Sequence, residues 1–438
     1  MRTLAEWLSL QESVHPQSID MGLERVSRVA DTLGVATPAF PVVTVAGTNG
    51  KGSVVAHLEA LLTALGARTG IFTSPHLVRY NERIRVAGNE VSDAELIAVF
   101  ERIEATRGAT TLTFFEYNTL AALAIFAHAA VDVAVLEVGL GGRLDATNLV
   151  AADAAVLASI GFDHREWLGD TLELIGAEKA GIFRARRPAV LGTPQMPASV
   201  YAAISRLGAR AVVAERDFSW QTGLGRWDYH GLAHTLRGLP PSALAGAIQY
   251  RNAATAIAAL EALRSSEDTR PAVGRLATRL DGLDERAVAA ALQQVRLAGR
   301  FQIFPGKVEW ILDIAHNEPA ARVLAAQLRQ RPLPESTARV GRTLAVIGVL
   351  ADKDAAAIGA ALAGVIDHWI VCTLPGPRGT SAAELATRLV PRAAPIEIAG
   401  SVTAGCELAR AEAQPGDRVV VCGSVYTVGP ALQWLRVY

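Results

Sequence analysis

Apolar runs of strand length alternate with helix-like segments along most of this chain. Residues 41–46 precede a helical pattern at 53–65, and a helical pattern at 120–129 precedes an apolar run at 131–138. This alternation predicts a parallel sheet covered by helices, which is an α/β fold. The pattern weakens at 220–239, where short polar and aromatic stretches predict antiparallel hairpins.

A second series of strand-like runs begins after residue 297. Helical segments separate its five candidates, which lie at 308–314, 343–349, 369–373, 396–399 and 418–422. About 140 residues are a normal size for one domain. We therefore expect a first domain at residues 1–296 and a smaller second α/β domain at residues 297–438.

The composition argues against several classes of protein. Half of the residues are hydrophobic and 19% are charged, which is unlike a disordered or fibrous chain. Lysine and arginine total 42 against 43 aspartate and glutamate residues, so no net positive charge favours a nucleic acid partner. The three cysteines lack the CxxC spacing of zinc sites, and we expect reduced thiols in the core.

Charged residues also interrupt the segments that could enter a membrane. Glu6 and Glu12 lie where a signal peptide would need an apolar stretch, and His128 and Asp132 interrupt the apolar run at 120–136. We expect a soluble, cytoplasmic monomer with neither a membrane nor a nucleic acid partner.

A glycine-rich turn leads from an apolar strand into a helix at residues 42–53. Its glycines let main-chain N–H groups turn towards an anion, and Lys51 can reach the outer phosphates of a nucleotide. The general phosphate-loop pattern is not met, because Val45 replaces its first glycine and Gly52 separates Lys51 from Ser53. The context of strand, loop and helix favours a phosphate-binding loop over a simple turn with an incidental lysine.

The sequence of this loop at 47–53, GTNGKGS, resembles the phosphate loop of the folylpolyglutamate synthase and dihydrofolate synthase family, which belongs to the Mur ligase superfamily. Other motifs of the family follow in its order, at 73–77, 81–84, 137–148, 163–164, 178–183, 299–301 and 313–317. The resemblance implies a P-loop Mur-ligase central domain with a parallel sheet, followed by a smaller Rossmann-like α/β domain.

The resemblance also implies ATP as the nucleotide. The matching positions for ATP are Thr48, Asn49, Gly50, Lys51, Gly52, Ser53, Asn252, Arg300 and Asp313, with His316 as a neighbour at the phosphates. Arginine suits phosphate because its planar donors stay charged and can bind two oxygens. From the residues alone, a salt bridge between Arg300 and a carboxylate stays open as an alternative.

Magnesium is the second expected cofactor. Ser74, Glu137 and His164 match the metal-binding positions of the family, although magnesium prefers oxygen ligands to imidazole. Lys179 matches a lysine that carbon dioxide carbamylates in this superfamily, and the resulting anion could hold a second magnesium ion. A helix-surface lysine paired with a nearby acid is the alternative for Lys179, and a structural histidine is the alternative for His164.

Three segments resemble those that hold dihydropteroate in bifunctional bacterial members of the family. The matching residues are Asp20, Met21, Gly22, Thr113, Phe114, Phe115, Glu116, Leu144, Asp145 and Ala146. A flat pterin acid calls for apolar faces with a few polar groups. On patterning alone, the two phenylalanines would instead be core residues.

The activity implied is that of an ATP-dependent amide ligase. It would add L-glutamate to dihydropteroate and then to tetrahydrofolates through an acyl phosphate, with Lys51, Lys179 and His316 as catalytic residues. One alternative is a monofunctional folylpolyglutamate synthase. Another is a peptidoglycan Mur ligase, which is disfavoured because the roughly 46 residues before Gly47 are too few for the additional amino-terminal domain of those ligases. A nucleotide-binding regulatory protein without ligase activity is disfavoured because Glu137, His164 and Lys179 are all present.

Overall fold

The structure is a computed structural model that describes residues 2–265, 270–333, 340–389 and 394–438. Over these ranges the chain forms two compact units. The first contains residues up to 76, then 80–243 and 249–296, and the second contains residues 77–79, 244–248 and 297–438. No helix within the described ranges is both long and apolar enough to cross a membrane.

The first unit is built on a mixed sheet and its covering helices. Its strands are β1 (Val42–Ala46), β2 (Thr69–Phe72), β3 (Ile84–Val86), β4 (Asn89–Glu90), β5 (Val133–Glu137), β6 (Ala154–Leu157), β7 (Pro188–Leu191), β8 (Arg210–Val213), β9 (Ser219–Thr222), β10 (Trp227–His230) and β11 (Thr235–Leu239). Its helices are α1 (Leu4–Val14), α2 (Glu24–Leu33), α3 (Lys51–Ala64), α4 (Asp93–Arg107), α5 (Phe114–His128), α6 (Arg165–Leu168), α7 (Leu172–Lys179), α8 (Ala198–Leu207), α9 (Ile248–Arg264), α10 (Pro271–Leu280) and α11 (Glu285–Gln294). Helix α9 belongs to this unit from Gln249 onwards.

Over the described ranges, the main sheet has the strand order β4-β3-β2-β5-β1-β6-β7-β8. Strands β2, β5, β1, β6, β7 and β8 are parallel, whereas β3 and β4 form an antiparallel edge. Alternate residues of β5 face opposite cores: Val133 and Val135 pack on the side of α3 and α9, and Ala134 and Leu136 pack on the side of α5. This two-sided burial explains why the strands are continuous apolar runs.

The parallel register brings several loops to one edge of this sheet. Val45 pairs with Glu137, Phe72 with Leu136, and Ala46 with Leu157. The carboxyl ends of β2, β5, β1 and β6 therefore lie side by side, at the edge where open α/β sheets bind their ligands.

The second unit is a doubly wound sheet. Its strands are β12 (Gln302–Phe304), β13 (Glu309–Asp313), β14 (Thr343–Ile347), β15 (His368–Cys372), β16 (Ile396–Ala399) and β17 (Arg418–Cys422), in the order β12-β13-β17-β14-β15-β16 over the described ranges. Its helices are α12 (Glu318–Gln330), α13 (Ala355–Leu362), α14 (Ala382–Leu389), α15 (Val402–Glu412) and α16 (Val425–Leu435). Helices α12 to α14 pack on one face, and α15 and α16 pack on the other.

Most of the sequence-based expectations for the fold are confirmed. The fold is α/β, residues 219–239 form an antiparallel three-stranded sheet, and Cys372, Cys406 and Cys422 are free and buried. Two antiparallel additions were not predicted, namely the β3–β4 hairpin and the edge strand β12. Both consist of strands of three residues or fewer, too short to show an alternating pattern.

Candidate active site

The loop between β1 and α3 is tied to the segment that follows β6. The main-chain N–H of Thr48 donates to the oxygen of Ser159 at 2.8 Å, and the hydroxyl of Thr48 donates to the oxygen of Gly161 at 3.0 Å. A Cβ at Gly47, whose φ is 147°, would stand 3.1 Å from the Ser159 nitrogen. Only glycine fits this close approach of two backbones.

Lys51 begins α3 and folds back over the loop. Its ammonium group donates to the main-chain oxygens of Gly47, at 3.1 Å, and Thr48, at 3.3 Å. Asn252 of α9 lies beside the same loop, because a Cβ built on Gly50 would stand 3.2 Å from its Oδ1. The fold thus brings together two of the predicted nucleotide-binding groups that lie about 200 residues apart in sequence.

Lys179 ends α7 with its side chain buried, at 5% exposure. Its ammonium group donates to the oxygen of Gly47 at 3.2 Å. Burial, together with the nearby charge of Lys51, lowers the pKa of Lys179 to about 7. Because Lys179 is buried, the alternative of a helix-surface lysine is wrong. The neighbouring Glu178 instead forms an ion pair with Arg143, at 2.8 Å.

Two of the predicted metal ligands meet at the ends of β2 and β5. The main-chain N–H of Ser74 donates to Oε2 of Glu137 at 3.2 Å, and the Glu137 side chain is buried, at 4% exposure. His164 is the N-cap residue of α6 and lies in the left-handed region, with φ 50°; its side chain makes no capping hydrogen bond, and its main-chain N–H donates to the Asp163 carboxylate at 3.0 Å. A hydroxyl and a carboxylate fit a hard cation such as magnesium, whereas imidazole is an unusual partner for it.

Apolar side chains surround the glycine-rich loop that follows β5. The ring of Phe115 packs on Gly139, where a Cβ would stand 2.6 Å from Cζ of that ring. Met21 lies over Gly141, with its Cε 3.4 Å from the position of a Cβ there. Asp145 fixes the loop by accepting the N–H of Leu140 at 2.9 Å, and burial raises the pKa of its carboxyl.

The other residues predicted to bind the acceptor are neighbours of these residues in the chain. Leu144 is half-buried, Ala146 begins a short 3₁₀ helix, and Gly22 has open space where a Cβ would be. Phe114 makes edge contacts with Tyr80, with ring centroids 6.0 Å apart. Thr113 caps α5: its main-chain N–H donates to the carboxylate of Glu116, and the main-chain N–H of Glu116, which is buried at 3% exposure, donates to the hydroxyl of Thr113.

Sequence reasoning missed two residues that shape this region. Ser159 holds the phosphate loop through its main-chain oxygen and its hydroxyl, and Arg25 contacts both Asp20 and Glu116. The position of Ser159 at the end of an apolar strand was a usable signal, since such ends form ligand edges. Arg25 lies in the segment at 20–25, which resembles a dihydropteroate-binding segment of the family, but the resemblance assigned no role to its side chain.

In the second unit, Arg300, Asp313 and His316 gather at the end of β13. The Asp313 carboxylate accepts the N–H groups of Phe301 and Ala315, both at 2.8 Å. Burial raises the pKa of this carboxyl, and the charge of Arg300 opposes the rise. The Nδ1 atom of His316 lies 3.0 Å from the oxygen of Ile314, which orients the ring.

Comparison with known proteins bears on both units. Residues 45–193 match the Mur ligase middle domain, and residues 299–425 match the glutamate ligase domain of Mur ligases. The chain is 43% identical to the dihydrofolate synthase/folylpolyglutamate synthase of Escherichia coli strain K12, over 98% of this chain and 95% of that protein.

Two solved structures extend this likeness to the fold. E. coli FolC in complex with DHPP and ADP is 42% identical, with a TM-score of 0.89 over 99% of this chain and 98% of the other. A bifunctional folylpolyglutamate synthase/dihydrofolate synthase with Mn, AMPPNP and L-glutamate bound is 41% identical, with a TM-score of 0.87 over 100% and 99%. The chain belongs to the dihydrofolate synthase/folylpolyglutamate synthase family of Mur ligases.

Proposed function

We propose that this protein is a bifunctional ligase that adds L-glutamate to dihydropteroate and to tetrahydrofolates at the expense of ATP. The names of its relatives support both activities. The observation that carries the proposal is the meeting of the phosphate loop, Lys179 and Glu137 at one sheet edge, beside the apolar groups on the loop at 139–142. These are the parts that a nucleotide-dependent reaction of a flat aromatic acid requires.

The nucleotide is proposed to bind with its phosphates on the loop at 47–53. The main-chain N–H groups at the amino terminus of α3 and the ammonium group of Lys51 offer donors to the phosphate oxygens. Thr48, Asn49, Gly50, Gly52 and Ser53 complete this loop, and Asn252 stands beside it. Arg300, Asp313 and His316 are assigned to ATP by the family resemblance, and ADP or AMPPNP in related structures supports a nucleotide.

A divalent cation is proposed at Ser74 and Glu137, with His164 as a third ligand. The buried carboxylate beside the Ser74 amide fits such an ion, and a related structure contains Mn. When bound, magnesium supplies positive charge to the phosphate oxygens and so favours phosphoryl transfer.

Lys179 is proposed to carry a carbamate. An amine with a pKa of about 7 is largely neutral at slightly alkaline pH, and the neutral nitrogen attacks the carbon of carbon dioxide. A bond forms between Nζ and carbon, one C=O π bond of carbon dioxide opens onto its oxygen, and the nitrogen loses one proton to solvent, so that a carbamate anion replaces the ammonium cation. That anion could hold a second magnesium ion, and it would turn the repulsion by Lys51 into an attraction.

The acceptor is proposed to lie against Met21 and Phe115, with its polar groups near Asp20. Its carboxylate oxygen attacks the γ-phosphorus of ATP, the bond to the β-phosphate oxygen breaks, and ADP leaves. The amine of glutamate then attacks the acyl carbon, and phosphate leaves as the amide forms. Lys51 and the amide groups of the loop offset the charge on the transferring phosphoryl group.

Product analysis tests the proposal directly. The purified protein is incubated with ATP, magnesium and L-glutamate, and with either dihydropteroate or tetrahydrofolate, and the products are identified by mass spectrometry. We expect one added glutamate on dihydropteroate and one or more on tetrahydrofolate. Addition to tetrahydrofolate alone would identify a monofunctional folylpolyglutamate synthase, and addition to neither would contradict the proposal.

A further inference from the structure

Arg25 joins two segments of the chain that surround the proposed acceptor site. It lies in the first turn of α2, just after Asp20–Gly22, and it reaches the first turn of α5, just after Thr113. We propose that Arg25 is a positioning residue for dihydropteroate, which holds the Asp20 carboxylate in the orientation that receives the pterin ring. This inference rests on the proposed function and adds a residue that acts through another residue rather than on the substrate.

Arg25 makes two short contacts with Asp20. Its Nη1 atom lies 2.6 Å from Oδ2 of Asp20, and its Nη2 atom donates to the main-chain oxygen of Asp20 at 2.9 Å. The same Oδ2 atom lies 3.0 Å from Nε2 of His15, whose Nδ1 atom lies 2.9 Å from the hydroxyl of Thr111. The carboxylate is therefore held through one of its two oxygens, from two sides.

The other end of the bridge is Glu116. The Nη2 atom of Arg25 lies 3.3 Å from Oε1 of Glu116, while Oε2 of Glu116 accepts the N–H of Thr113 at 2.7 Å. Because Glu116 is buried and fixed by the cap of α5, it anchors Arg25 to a rigid element. Lysine could not replace this contact, since a single ammonium group lacks the planar fork that reaches two acidic groups at once.

One oxygen of the Asp20 carboxylate is available to a ligand. Within the described part of the chain, Oδ1 of Asp20 has no hydrogen-bond partner, and the side chain is 32% exposed. The next residue, Met21, packs over the loop that also carries Phe115 on Gly139. A pterin ring has N–H donors on its edge and an apolar face, so an oriented carboxylate oxygen beside these apolar groups matches both.

Steady-state kinetics separate positioning from a general structural role. In Arg25→Met, the Michaelis constant for dihydropteroate is expected to rise about ten-fold or more, as loss of charged hydrogen bonds implies. The constants for ATP and L-glutamate and the melting temperature are expected to stay near those of the wild type. Arg28→Met, an exposed change one turn further along α2, is the matched control and is expected to alter none of these.

Two further variants keep the test decisive. Arg25→Lys retains the charge, is expected to fold even if Arg25→Met does not, and should raise the constant for dihydropteroate by less. If Arg25 acts through Asp20, the double variant Asp20→Asn/Arg25→Met should bind dihydropteroate no worse than Asp20→Asn alone. Three outcomes would overturn the proposal. The effects of Asp20→Asn and Arg25→Met on the Michaelis constant for dihydropteroate could be additive, this constant could be unchanged in both Arg25→Lys and Arg25→Met, or the constants for all three substrates could rise equally. A wild-type protein that cannot use dihydropteroate would instead refute the proposed function.

Discussion

Lys51 and Lys179 donate to the same acceptor, the main-chain oxygen of Gly47, at 3.1 Å and 3.2 Å. Two ammonium groups on one oxygen repel each other, and this repulsion adds to the effect of burial on the pKa of Lys179. The arrangement makes the two lysines unequal. Lys51 is half-buried at the start of α3, whereas Lys179 is enclosed.

Replacing Lys51 with alanine should remove a cation from the phosphate loop without disturbing the core. We expect a fall in turnover of about a hundred-fold or more, as for the loss of other groups that stabilise charge in a transition state. The readout is phosphate release that requires both dihydropteroate and L-glutamate. Lys307→Ala, at an exposed lysine of the second unit, serves as control. Near-normal turnover of a folded Lys51→Ala protein would contradict the assignment.

Replacing Lys179 with alanine should cripple ligation and leave a space that a small anion can enter. Added formate or acetate is expected to restore part of the activity, because a short carboxylate can stand in for the carbamate. The same salts should have no such effect on Lys51→Ala. Full activity of Lys179→Ala without any added carboxylate would show that ligation does not need a carbamate on Lys179.

The buried His57 should make the first unit sensitive to mild acid. Its Nδ1 atom lies 2.7 Å from the Ser53 oxygen and its Nε2 atom lies 3.0 Å from the Ser242 hydroxyl, and burial lowers its pKa from 6.5 to about 4. The unfolded chain therefore binds a proton near pH 6.5, whereas the folded chain does so only near pH 4. Stability is full above pH 6.5 and is lost as the pH falls towards 4, by up to about 3 kcal/mol.

Urea unfolding between pH 7 and pH 4 checks this expectation. The wild type should lose more stability over this range than His57→Gln, which keeps polar contacts but does not titrate. Parallel pH profiles for the two proteins would show that His57 does not contribute to the acid sensitivity.

Gly142 lies against the end of the helix that carries Lys179. A Cβ at this position would stand 2.8 Å from the Lys179 oxygen and 2.9 Å from the Glu178 oxygen. Gly142→Ala should therefore push α7 away from the loop, costing about 1–3 kcal/mol of stability and lowering ligase activity. The control is Gly274→Ala in α10, where no atom lies within 4 Å of a new Cβ and a small gain in stability is expected. Equal melting temperatures for the two variants would contradict the prediction.

The sequence allowed much of this fold to be predicted, because the strong apolar runs of β1, β5 and β13 mark strands by themselves. The phosphate loop was also visible, since Gly47, Gly50 and Lys51 lie within five consecutive residues of the chain. What stayed hidden depends on distant partners. The burial of Lys179, the approach of Asn252 to Gly50 and the bridge made by Arg25 all arise from packing between elements far apart in sequence.

The short strands could not be predicted for a different reason. Strands β3, β4 and β12 gain their stability from the strands they pair with rather than from an amphipathic pattern of their own. The family resemblance also gave Asp20 and Glu116 the same expected role as substrate-binding residues. The structure distinguishes them by exposure, because Asp20 keeps an open oxygen and Glu116 is enclosed.

Membership of Leu77–Arg79 in the second unit has a practical consequence for dissecting this enzyme. The main-chain oxygen of Leu77 lies against Gly429, and Ala245, from the segment at 244–248, packs with the core beneath α12 to α14. A carboxyl-terminal fragment starting at Leu297 would lack both segments, 77–79 and 244–248. The carboxyl-terminal half, expressed from one continuous stretch of gene, would therefore lack part of its own hydrophobic interior, whereas the amino-terminal half would carry two segments that belong to the other unit.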